Sequence, residues 1–421
     1  MKKNGSNGKT RNGLVAALDI GSTKIACFIA RTGGQHGMQL IGIGHQVSRG
    51  IRAGAIVDMD AAAECIRSTV EAAEQMAGEN IRQVVVNLSS GEPRSRLIAY
   101  EVSIAGHEIG DADLRHVLNP NVLNQGRPVD HDTVHILPVG YSIDGNRGVR
   151  DPRGMFGDRL GANVHVISAS SGALRNLSTC IAHCHLEIES RVISPFASAL
   201  SCLVDDEQKL GVTLIDMGGG TTSIAVYFDG ELVHTDAIPV GGMHVTNDIA
   251  RGLSTPVVHA ERMKTLYGSA IPSPSDDREV LKVPLIGEER DGESNPVPRS
   301  MLVGIIRPRI EETFEMIRAR LEATGFDKVA GRRVVLTGGA SQLPGVREVA
   351  GMILDKQVRQ GKPQPIRGLA EASSGPAFST CAGLLRFAVN NPSAEVDAPY
   401  RPTEMPAGRF GRIGQWLREN F

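Results

Sequence analysis

The stretch LVAALDIGSTKIACFIA (14–30) predicts an apolar strand, a Gly-Ser-Thr turn and a second apolar strand. About 200 residues later, GVTLIDMGGGTTSIAVYFDG (211–230) repeats that plan. The triplet Asp-Ile-Gly (19–21) matches Asp-Met-Gly (216–218), and aligning the Ile-Ala pair that follows each turn makes the second turn two residues longer. A strand–turn–strand unit repeated at this distance indicates two related domains in one chain.

Length and composition set the class of protein. With 421 residues the chain is too long for one compact core, so we expect two or more domains. Apolar residues make up 41% and charged residues 22%, as in folded soluble proteins, and a net charge of −2 gives no global attraction to nucleic acid. Six cysteines without framework spacing indicate a reducing compartment, and no run approaches the ~20 apolar residues of a spanning helix. We therefore expect a cytoplasmic protein that meets a membrane only at its surface.

Helical and strand-like stretches alternate along the chain. Acidic caps and a final glycine predict a helix over 58–78, and apolar residues at helical spacing predict another over 171–190. A short apolar run at 83–88 predicts a strand. This mixture indicates an α/β fold. A further helix is expected over 301–325, with Pro308 beginning a new helix at its first turn.

Three segments depart from this plan. Residues 93–169 hold short strands around an acidic helix start at Asp111, which predicts a small inserted subdomain. Residues 271–300 are rich in proline, glycine and charge, which predicts loops and hairpins at the tip of a domain. Residues 391–407 carry four prolines and little to bury, which predicts a linker to the C-terminal stretch.

The two glycine-rich hairpins are candidates for binding a nucleoside triphosphate. Glycines let backbone N–H groups close on phosphate oxygens because no Cβ blocks the approach. Hydroxyls and one lysine add donors, and two aspartates that phosphates would repel make sense if a hydrated Mg²⁺ lies between them. An ordinary tight turn capped by its aspartate explains one hairpin, but it explains a matched pair less well. The predicted contacts are Asp19, Gly21, Ser22, Thr23 and Lys24 on the first hairpin and Asp216, Gly218, Gly219, Gly220, Thr221 and Thr222 on the second.

A third glycine motif, RRVVLTGGASQLPGV (332–346), predicts a strand that ends at a Gly-Gly turn before a helix. Such a turn lets a flat base lie against the backbone at Gly338, Gly339 and Ala340. Alone this is a weak indication, because strand–Gly–Gly–helix turns are common. Downstream of two phosphate hairpins it is a strong one.

Together, the hairpins, the Leu-Thr-Gly-Gly turn and the connecting helix FSTCAGLLRF (378–387) resemble the actin-like ATPase superfamily. Within it, the insertion at 93–169 and the ending WLREN plus Phe resemble the FtsA family of bacterial cell-division proteins, over residues 13–421. The resemblance implies an α/β, actin-like ATPase fold, a duplicated ribonuclease H-like unit in two lobes with an inserted 1C subdomain. It also implies ATP and Mg²⁺ as ligands, with Glu261 and Lys264 of a subdomain 2B helix at the nucleotide. A solvated helix face explains those two residues as well.

The resemblance also implies a function and partners. The function is to polymerise on the cytoplasmic side of the inner membrane at the division site and to tether the FtsZ ring there. The implied partners are the FtsZ C-terminal peptide at subdomain 2B, further copies of the chain in filaments, inner-membrane lipids and other divisome proteins. Arg299, near the tip of the 271–300 loops, is either a receptor for the acidic FtsZ tail or an exposed solubilising arginine. The implied subdomains are 1A (13–92, 170–204 and 379–390), 1C (93–169), 2A (205–243 and 301–378) and 2B (244–300), followed by the linker (391–407) and a membrane-targeting helix (408–421).

One departure from the superfamily concerns hydrolysis. Many relatives place a Glu-Pro pair in the segment that here reads VISPFASAL, where the glutamate polarises the attacking water. In this chain Ser194 stands before Pro195. A serine hydroxyl is a poor general base near neutral pH without a partner, so we expect weak or slow ATP hydrolysis at most.

The ending GRFGRIGQWLRENF (408–421) predicts an amphipathic helix at a membrane. At about 100° per residue its apolar side chains fall within about 80° of each other, and tryptophan and arginine edge the stripe. That arrangement is typical of a helix lying in the lipid headgroup layer. The alternative is docking on a partner groove or on the chain's own body, and the proline-rich linker argues against the body. The stripe comprises Phe410, Ile413, Leu417 and Phe421, and its borders and polar face carry Arg409, Arg412, Trp416 and Arg418.

Two other functions stay open from sequence alone. A small-molecule kinase of the same superfamily needs an aspartate base beside an acceptor pocket, which no loop clearly offers, and it has no use for a lipid-binding tail. A PilM-like pilus-assembly scaffold shares the ATP fold, but it is recruited through a pilus-protein peptide and normally lacks such a tail.

Overall fold

The computed structural model describes residues 13–33, 37–287 and 294–390. Within these residues the strands, in chain order, are β1 (Gly13–Ile20), β2 (Lys24–Thr32), β3 (Met38–Val47), β4 (Ile51–Arg52), β5 (Ala55–Ile56), β6 (Gln83–Leu88), β7 (Arg94–Ser103), β8 (His131–Ile143), β9 (Asn146–Val149), β10 (Arg159–Ser170), β11 (Glu187–Ile193), β12 (Val212–Met217), β13 (Thr222–Phe228), β14 (Glu231–Ile238), β15 (Val280–Pro284), β16 (Ser294–Pro298), β17 (Arg333–Thr337) and β18 (Gln357–Gln360). The helices are α1 (Met59–Ala77), α2 (Asp111–Val117), α3 (Pro120–Leu123), α4 (Ser171–His183), α5 (Ser194–Cys202), α6 (Asp205–Leu210), α7 (Gly242–Gly252), α8 (Val257–Tyr267), α9 (Arg299–Thr324), α10 (Phe326–Val329), α11 (Val346–Leu354) and α12 (Ser379–Asn390).

Two five-stranded sheets share one topology. The first has the order β11-β6-β1-β2-β3 and the second the order β18-β17-β12-β13-β14. In each, three strands form an antiparallel meander, and two further strands add in parallel beside the first strand of the meander. We call the bodies around these sheets lobe 1 and lobe 2. The duplication that the two hairpins predict is therefore a duplication of a whole sheet.

Two helices connect the lobes. The chain leaves lobe 1 through α5 and returns to it through α12, whose residues pack on lobe-1 strands. The two helices lie against each other, and the Ser201 hydroxyl on α5 donates to the Ser379 carbonyl on α12 (2.7 Å). On α5, Ser198 donates to the Asp216 carboxylate at the end of β12 (2.6 Å). Any rotation of one lobe against the other must therefore involve α5 and α12.

The segment 93–169 forms a four-stranded antiparallel sheet of its own, in the order β7-β10-β8-β9. A small core, including Val102, Ile109, Leu123 and Leu160, joins this sheet to α2 and α3. We call it the inserted subdomain. As the acidic start predicted, α2 begins at Asp111.

Lobe 2 carries a further layer made of α7, α8 and the β15–β16 hairpin, which lies in the predicted 271–300 loops. The start of a new helix at Pro308 is wrong, because α9 runs unbroken from Arg299 to Thr324. The proline removes one N–H and crowds the carbonyl of Gly304, but both residues are exposed, so water reaches that carbonyl. Among the described helices, none combines the length and apolar character needed to cross a bilayer.

Candidate nucleotide-binding cleft

The two glycine hairpins have loops of equal length. Ile20 pairs with Ile25 across the first loop, and Met217 pairs with Thr222 across the second, so each loop contains four residues. The same hydrogen bond closes both: Gly21 N–H to the Lys24 carbonyl (3.0 Å), and Gly218 N–H to the Thr221 carbonyl (2.9 Å). The expected two-residue lengthening of the second turn is therefore wrong.

This register corrects the prediction for Thr222. It takes the place that Ile25 has in the first hairpin, inside the strand, and it is fully buried. Its hydroxyl donates to the Val240 carbonyl (2.8 Å), so it does not face the cleft as a free donor.

The tips of the two hairpins touch each other across the interlobe cleft. A Cβ added to Gly219 would lie 2.7 Å from the Thr23 hydroxyl, and one added to Gly220 would lie 2.8 Å from the Ala53 Cα. Ala53 belongs to the β4–β5 turn, where the next N–H, that of Gly54, donates to the Ser22 hydroxyl (2.8 Å). Glycine is needed at 219 and 220 because any side chain would hold the lobes apart.

A cavity of about 460 Å³ lies between the lobes and brings together the predicted nucleotide contacts other than Thr222. That volume is in the range of small-molecule sites. The predicted residues that line it are Asp19, Gly21, Ser22, Thr23, Lys24, Asp216, Gly218, Gly219, Gly220, Thr221, Glu261, Lys264, Gly338, Gly339 and Ala340.

Two buried carboxylates lie at the strand ends below the hairpins. Asp19 is 8% exposed and Asp216 is 7% exposed. Burial raises the pKa of Asp19 to about 7; Lys24 opposes that rise and the charge of Asp216 adds to it. Burial also raises the pKa of Asp216, against hydrogen bonds from Ser198 (2.6 Å) and Thr380 (3.2 Å). Lys24 interacts with both carboxylates, but its single positive charge does not balance two negative ones, and a divalent cation would supply the remainder.

Lys24 is the basic residue of the first loop, and it lies beside the two carboxylates. Its ammonium donates to the Ala377 carbonyl and lies 3.4 Å from the centre of the Phe378 ring. Burial lowers its pKa, and the charge of Asp19 opposes that shift. The lysine thus joins the lobe-1 hairpin to the segment that leads into α12.

Glycine backbone and apolar side chains form part of the cleft wall. Gly338 follows β17 with φ +86°, and a Cβ there would meet the Asp216 carboxylate and lie 2.7 Å from the Met217 carbonyl carbon, so backbone forms the wall at this point. Ile310 and Leu343 line the cleft as well. On the rim, the Lys264 ammonium donates to Glu261 (2.7 Å), to the Thr246 hydroxyl (2.9 Å) and to the Gly242 carbonyl (3.2 Å).

These residues fit a nucleoside triphosphate with a hydrated divalent cation. Small loops with inward N–H groups suit phosphate oxygens, and two buried carboxylates without a full counter-charge suit Mg²⁺ that keeps its waters. Bound there, the cation would neutralise phosphate charge next to Asp19 and Asp216.

Ser194 lies where hydrolysis would require a base. It begins α5, lines the cleft and is 5% exposed. Its hydroxyl accepts a hydrogen bond from the Asn87 amide (3.2 Å), and no hydrogen bond of the described residues joins it to a carboxylate. Nothing bound to this serine makes it more basic.

Asn87 is a site residue that sequence reasoning missed. Its side-chain oxygen accepts from the Ile20 N–H (2.7 Å), so it fixes the residue before the first loop as well as Ser194. Its position near the end of the apolar run 83–88 could have indicated a role in the site, because β6 is parallel to β1 and both strands end at the cleft.

Two further sets of predicted residues lie away from the cleft. Arg299 pairs with the buried Asp276 (2.8 Å) and with Glu279 (3.4 Å), and it donates to the Tyr267 carbonyl (2.8 Å). Arg299 thus connects neighbouring segments of the chain through ion pairs and a hydrogen bond, so its interpretation as a free receptor for an acidic tail is not supported. The predicted linker and the membrane-binding residues from Arg409 to Phe421 lie outside the described residues.

Sequence comparisons match two family profiles. The profile described as "Cell division protein FtsA" matches residues 213–383, and the one described as "SHS2 domain inserted in FTSA" matches residues 91–168. The chain is similar to three curated relatives named "Cell division protein FtsA". The Agrobacterium fabrum protein is 45% identical over 98% of this chain and 96% of its own length, the Pseudomonas aeruginosa protein 34% over 97% and 98%, and the Escherichia coli K12 protein 31% over 97% and 98%.

Solved structures share the fold at low sequence identity. The chain is similar to the PilM-PilN type IV pilus biogenesis complex with a TM-score of 0.63 and 17% identity, covering 89% of this chain and 98% of that one. It is similar to MreB5 of Spiroplasma citri bound to ADP with a TM-score of 0.52 and 13% identity, covering 89% and 96%. The MamK double helical filament gives 0.51 and 13%, covering 90% and 99%. These likenesses confirm the predicted actin-like α/β fold.

Proposed function

The chain belongs to the FtsA family of cell division proteins, and from this premise we propose that it is an ATP-binding scaffold that assembles on the inner membrane and tethers the FtsZ ring there. The family membership also sets aside the kinase and pilus alternatives. The observation that carries the nucleotide part is the pair of four-residue glycine loops, closed by the same hydrogen bond, that face each other over Asp19 and Asp216.

ATP is proposed to lie along the whole cleft. Its phosphates fall between the loops, with Mg²⁺ held through water by Asp19 and Asp216. Its adenine lies against the backbone wall at Gly338, and its ribose is near Glu261 and Lys264. The support is the position of these groups in one cavity, which the glycine loops, the two carboxylates and the Gly338 backbone all line.

Hydrolysis is proposed to be slow. Among the described residues the Ser194 hydroxyl is hydrogen-bonded to the Asn87 amide and to no carboxylate, and a neutral hydroxyl without a base gives little general-base catalysis. ATP then acts mainly as a ligand that holds the lobes together.

FtsZ is proposed to bind on the exposed face of α8 in subdomain 2B. Val258 (79% exposed) and Leu266 (57% exposed) are eight residues apart and lie on one face with the exposed Arg262 midway between them. An acidic peptide with apolar side chains complements that face. Arg299 is left out of this surface because its charge is already paired.

Assembly is proposed to be head to tail, with the inserted subdomain forming much of one contact surface. Val129 and Phe156 of this subdomain are exposed by 103% and 67%, and apolar groups of that size on a surface favour a partner. A heterologous contact that does not close gives filaments. The expected subdomain boundaries stay part of this proposal.

Membrane attachment is proposed for residues 408–421. Burying an apolar side chain in the bilayer interface contributes up to ~1.5–3 kcal/mol and an arginine near anionic lipid ~1 kcal/mol, against ~1–2 kcal/mol per residue for ordering the backbone. One tail therefore binds reversibly, and a filament that presents many tails binds firmly.

Co-sedimentation of the full chain with anionic vesicles, with and without ATP, tests this function. Trp416→Glu should abolish sedimentation and leave ATP binding unchanged. Gln415→Glu, which adds the same charge on the polar side of the predicted helix, is the matched control and should sediment. Emission of Trp416, the one tryptophan of the chain, should shift to the blue only when vesicles are present. A blue-shifted emission without lipid would mean that the tail is docked on protein.

A further inference from the structure

The sheet of the inserted subdomain buries a second face, against both lobes. Its first face covers its own small core. On the other, Val134 and Leu137 of β8 pack against a core cluster to which both lobes contribute. Leu97 of β7 and Val139 of β8 pack against the core of lobe 2. One sheet therefore spans the junction of the lobes.

The contact with lobe 2 covers a sheet edge. Thr235 lies in β14, the outermost strand of the lobe-2 sheet, and its N–H donates to the Ser95 hydroxyl on β7 (3.2 Å). The same hydroxyl lies 2.6 Å from His165 Nε2 on β10. A backbone N–H of an edge strand is thus satisfied by a side chain of the inserted subdomain.

The contact with lobe 1 reaches the two connecting helices. His135 of β8 is buried, and its Nε2 accepts from the Ile193 N–H (3.2 Å), one residue before the cleft residue Ser194. Its ring lies edge-on to Phe196 of α5 (5.4 Å between centroids) and to Phe387 of α12 (6.3 Å). The inserted subdomain therefore touches the hinge itself.

We propose that the inserted subdomain is a brace across the interlobe hinge, and that its docking on β14 is coupled to closure of the nucleotide cleft. The proposal rests on the proposed function in that the cleft takes ATP. Because the brace contacts both lobes, a rotation about α5 and α12 must break one of its two contacts. The contact that breaks is the one with lobe 2, because the chain itself joins the inserted subdomain to lobe 1, through β6 before it and α4 after it. On lobe 2 the subdomain is held without a covalent link, by Leu97 and Val139, by the Ser95–Thr235 hydrogen bond and by an exposed Arg150–Asp229 ion pair (3.1 Å), and exposed pairs contribute little.

The brace consequently stays on lobe 1 and leaves β14 when the cleft opens. Because ATP favours the closed cleft, it also favours docking of the brace on β14. By reciprocity, a partner that binds the inserted subdomain in its docked position increases the affinity for ATP by the same factor by which ATP increases the affinity for that partner.

Distance measurements between labels on the two lobes test the brace. The six native cysteines are all buried, so cysteines introduced at the exposed Met76 on α1 and Val258 on α8 can be labelled selectively in the full chain. The variant Ser95→Ala with Leu97→Ala should widen the distance distribution in the absence of nucleotide. It should also release a fluorescent ATP analogue about tenfold faster. His107→Ala, on an exposed side chain of the inserted subdomain, is the control and should change neither.

Hydrogen exchange separates undocking from misfolding. In the double variant, exchange should rise in β7 and β14 and stay unchanged in α2 and β10, which form the subdomain's own core. An interlobe distance that the double variant leaves unchanged, with exchange raised in β7 and β14, would overturn the brace. The interlobe distance is measured without nucleotide, so it tests the brace even if ATP does not bind to the chain. Failure of ATP to bind would overturn only the proposed function.

Discussion

Gly220→Ala tests the contact between the two hairpins. The added Cβ would lie 2.5 Å from the Ser22 hydroxyl and 2.8 Å from the Ala53 Cα. The hydroxyl can rotate away, but Ala53 is backbone and cannot. Ordinary contact begins at 3.4 Å, so the second hairpin and the β4–β5 turn must separate by about 0.6 Å. Gly220 is not in the left-handed region, so the alanine adds no backbone strain there.

That separation should weaken ATP binding while the protein stays folded. Overpacking of a close contact costs about 1–3 kcal/mol, which corresponds to about 5- to 150-fold in affinity. Calorimetric titration with ATP and Mg²⁺ measures the change. Gly304→Ala is the matched control, since nothing lies within 4 Å of its added Cβ on the exposed side of α9, and it should bind ATP normally. A folded Gly220→Ala protein with unaltered affinity would refute the closed arrangement of the loops.

Three further outcomes are expected. Phe156→Glu should abolish filaments seen by electron microscopy with ATP binding unchanged, because it places a charge on the exposed surface of the inserted subdomain; intact filaments would contradict that contact. Ser194→Glu should raise ATP turnover by about 100-fold, because the new carboxylate acts as a base that the Asn87 amide orients; unchanged phosphate release would place the attacking water elsewhere. Burial lowers the pKa of His165 to about 3 and of His135 to about 4, against 6.5 when unfolded. The unfolded chain therefore takes up more protons as pH falls below 6.5, so stability falls from there towards pH 4, by ~2 kcal/mol per histidine at pH 5. Between pH 7.5 and 5.0, His165→Asn should therefore lose ~2 kcal/mol less stability than the parent chain, as measured by denaturant midpoints. The comparison cancels the other shifted groups, which include His234, with a pKa lowered to about 4, and Asp19, whose raised pKa acts in the opposite direction; equal losses in both proteins would mean that His165 is not buried.

The duplication could be predicted from the sequence because each hairpin has a recognisable local sequence pattern. An apolar strand, an Asp-x-Gly turn and a second apolar strand need no tertiary information, and each appears in the structure as the start of a whole sheet. The register of the second hairpin was missed because identical side chains were aligned rather than the closing hydrogen bond. That error put Thr222 on the loop instead of inside β13.

The features that the sequence could not give depend on contacts between distant segments. Asp276 and Glu279 neutralise Arg299 from 23 and 20 residues away, so the arginine appeared free in the sequence. Asn87 bridges Ile20, which lies 67 positions before it, and Ser194, which lies 107 positions after it. Neither pairing has a local pattern, since each exists only after the strands have assembled.

The central claim is that one ATP binds in the interlobe cleft with Mg²⁺ between Asp19 and Asp216. Calorimetric titration of the full chain with ATP, with and without Mg²⁺ and alongside Asp19→Asn, tests it most directly. The account predicts one ATP per chain, tighter binding with Mg²⁺, and a loss of most of that Mg²⁺ effect in Asp19→Asn. Absence of saturable binding, or equal affinity in all four titrations, would contradict it.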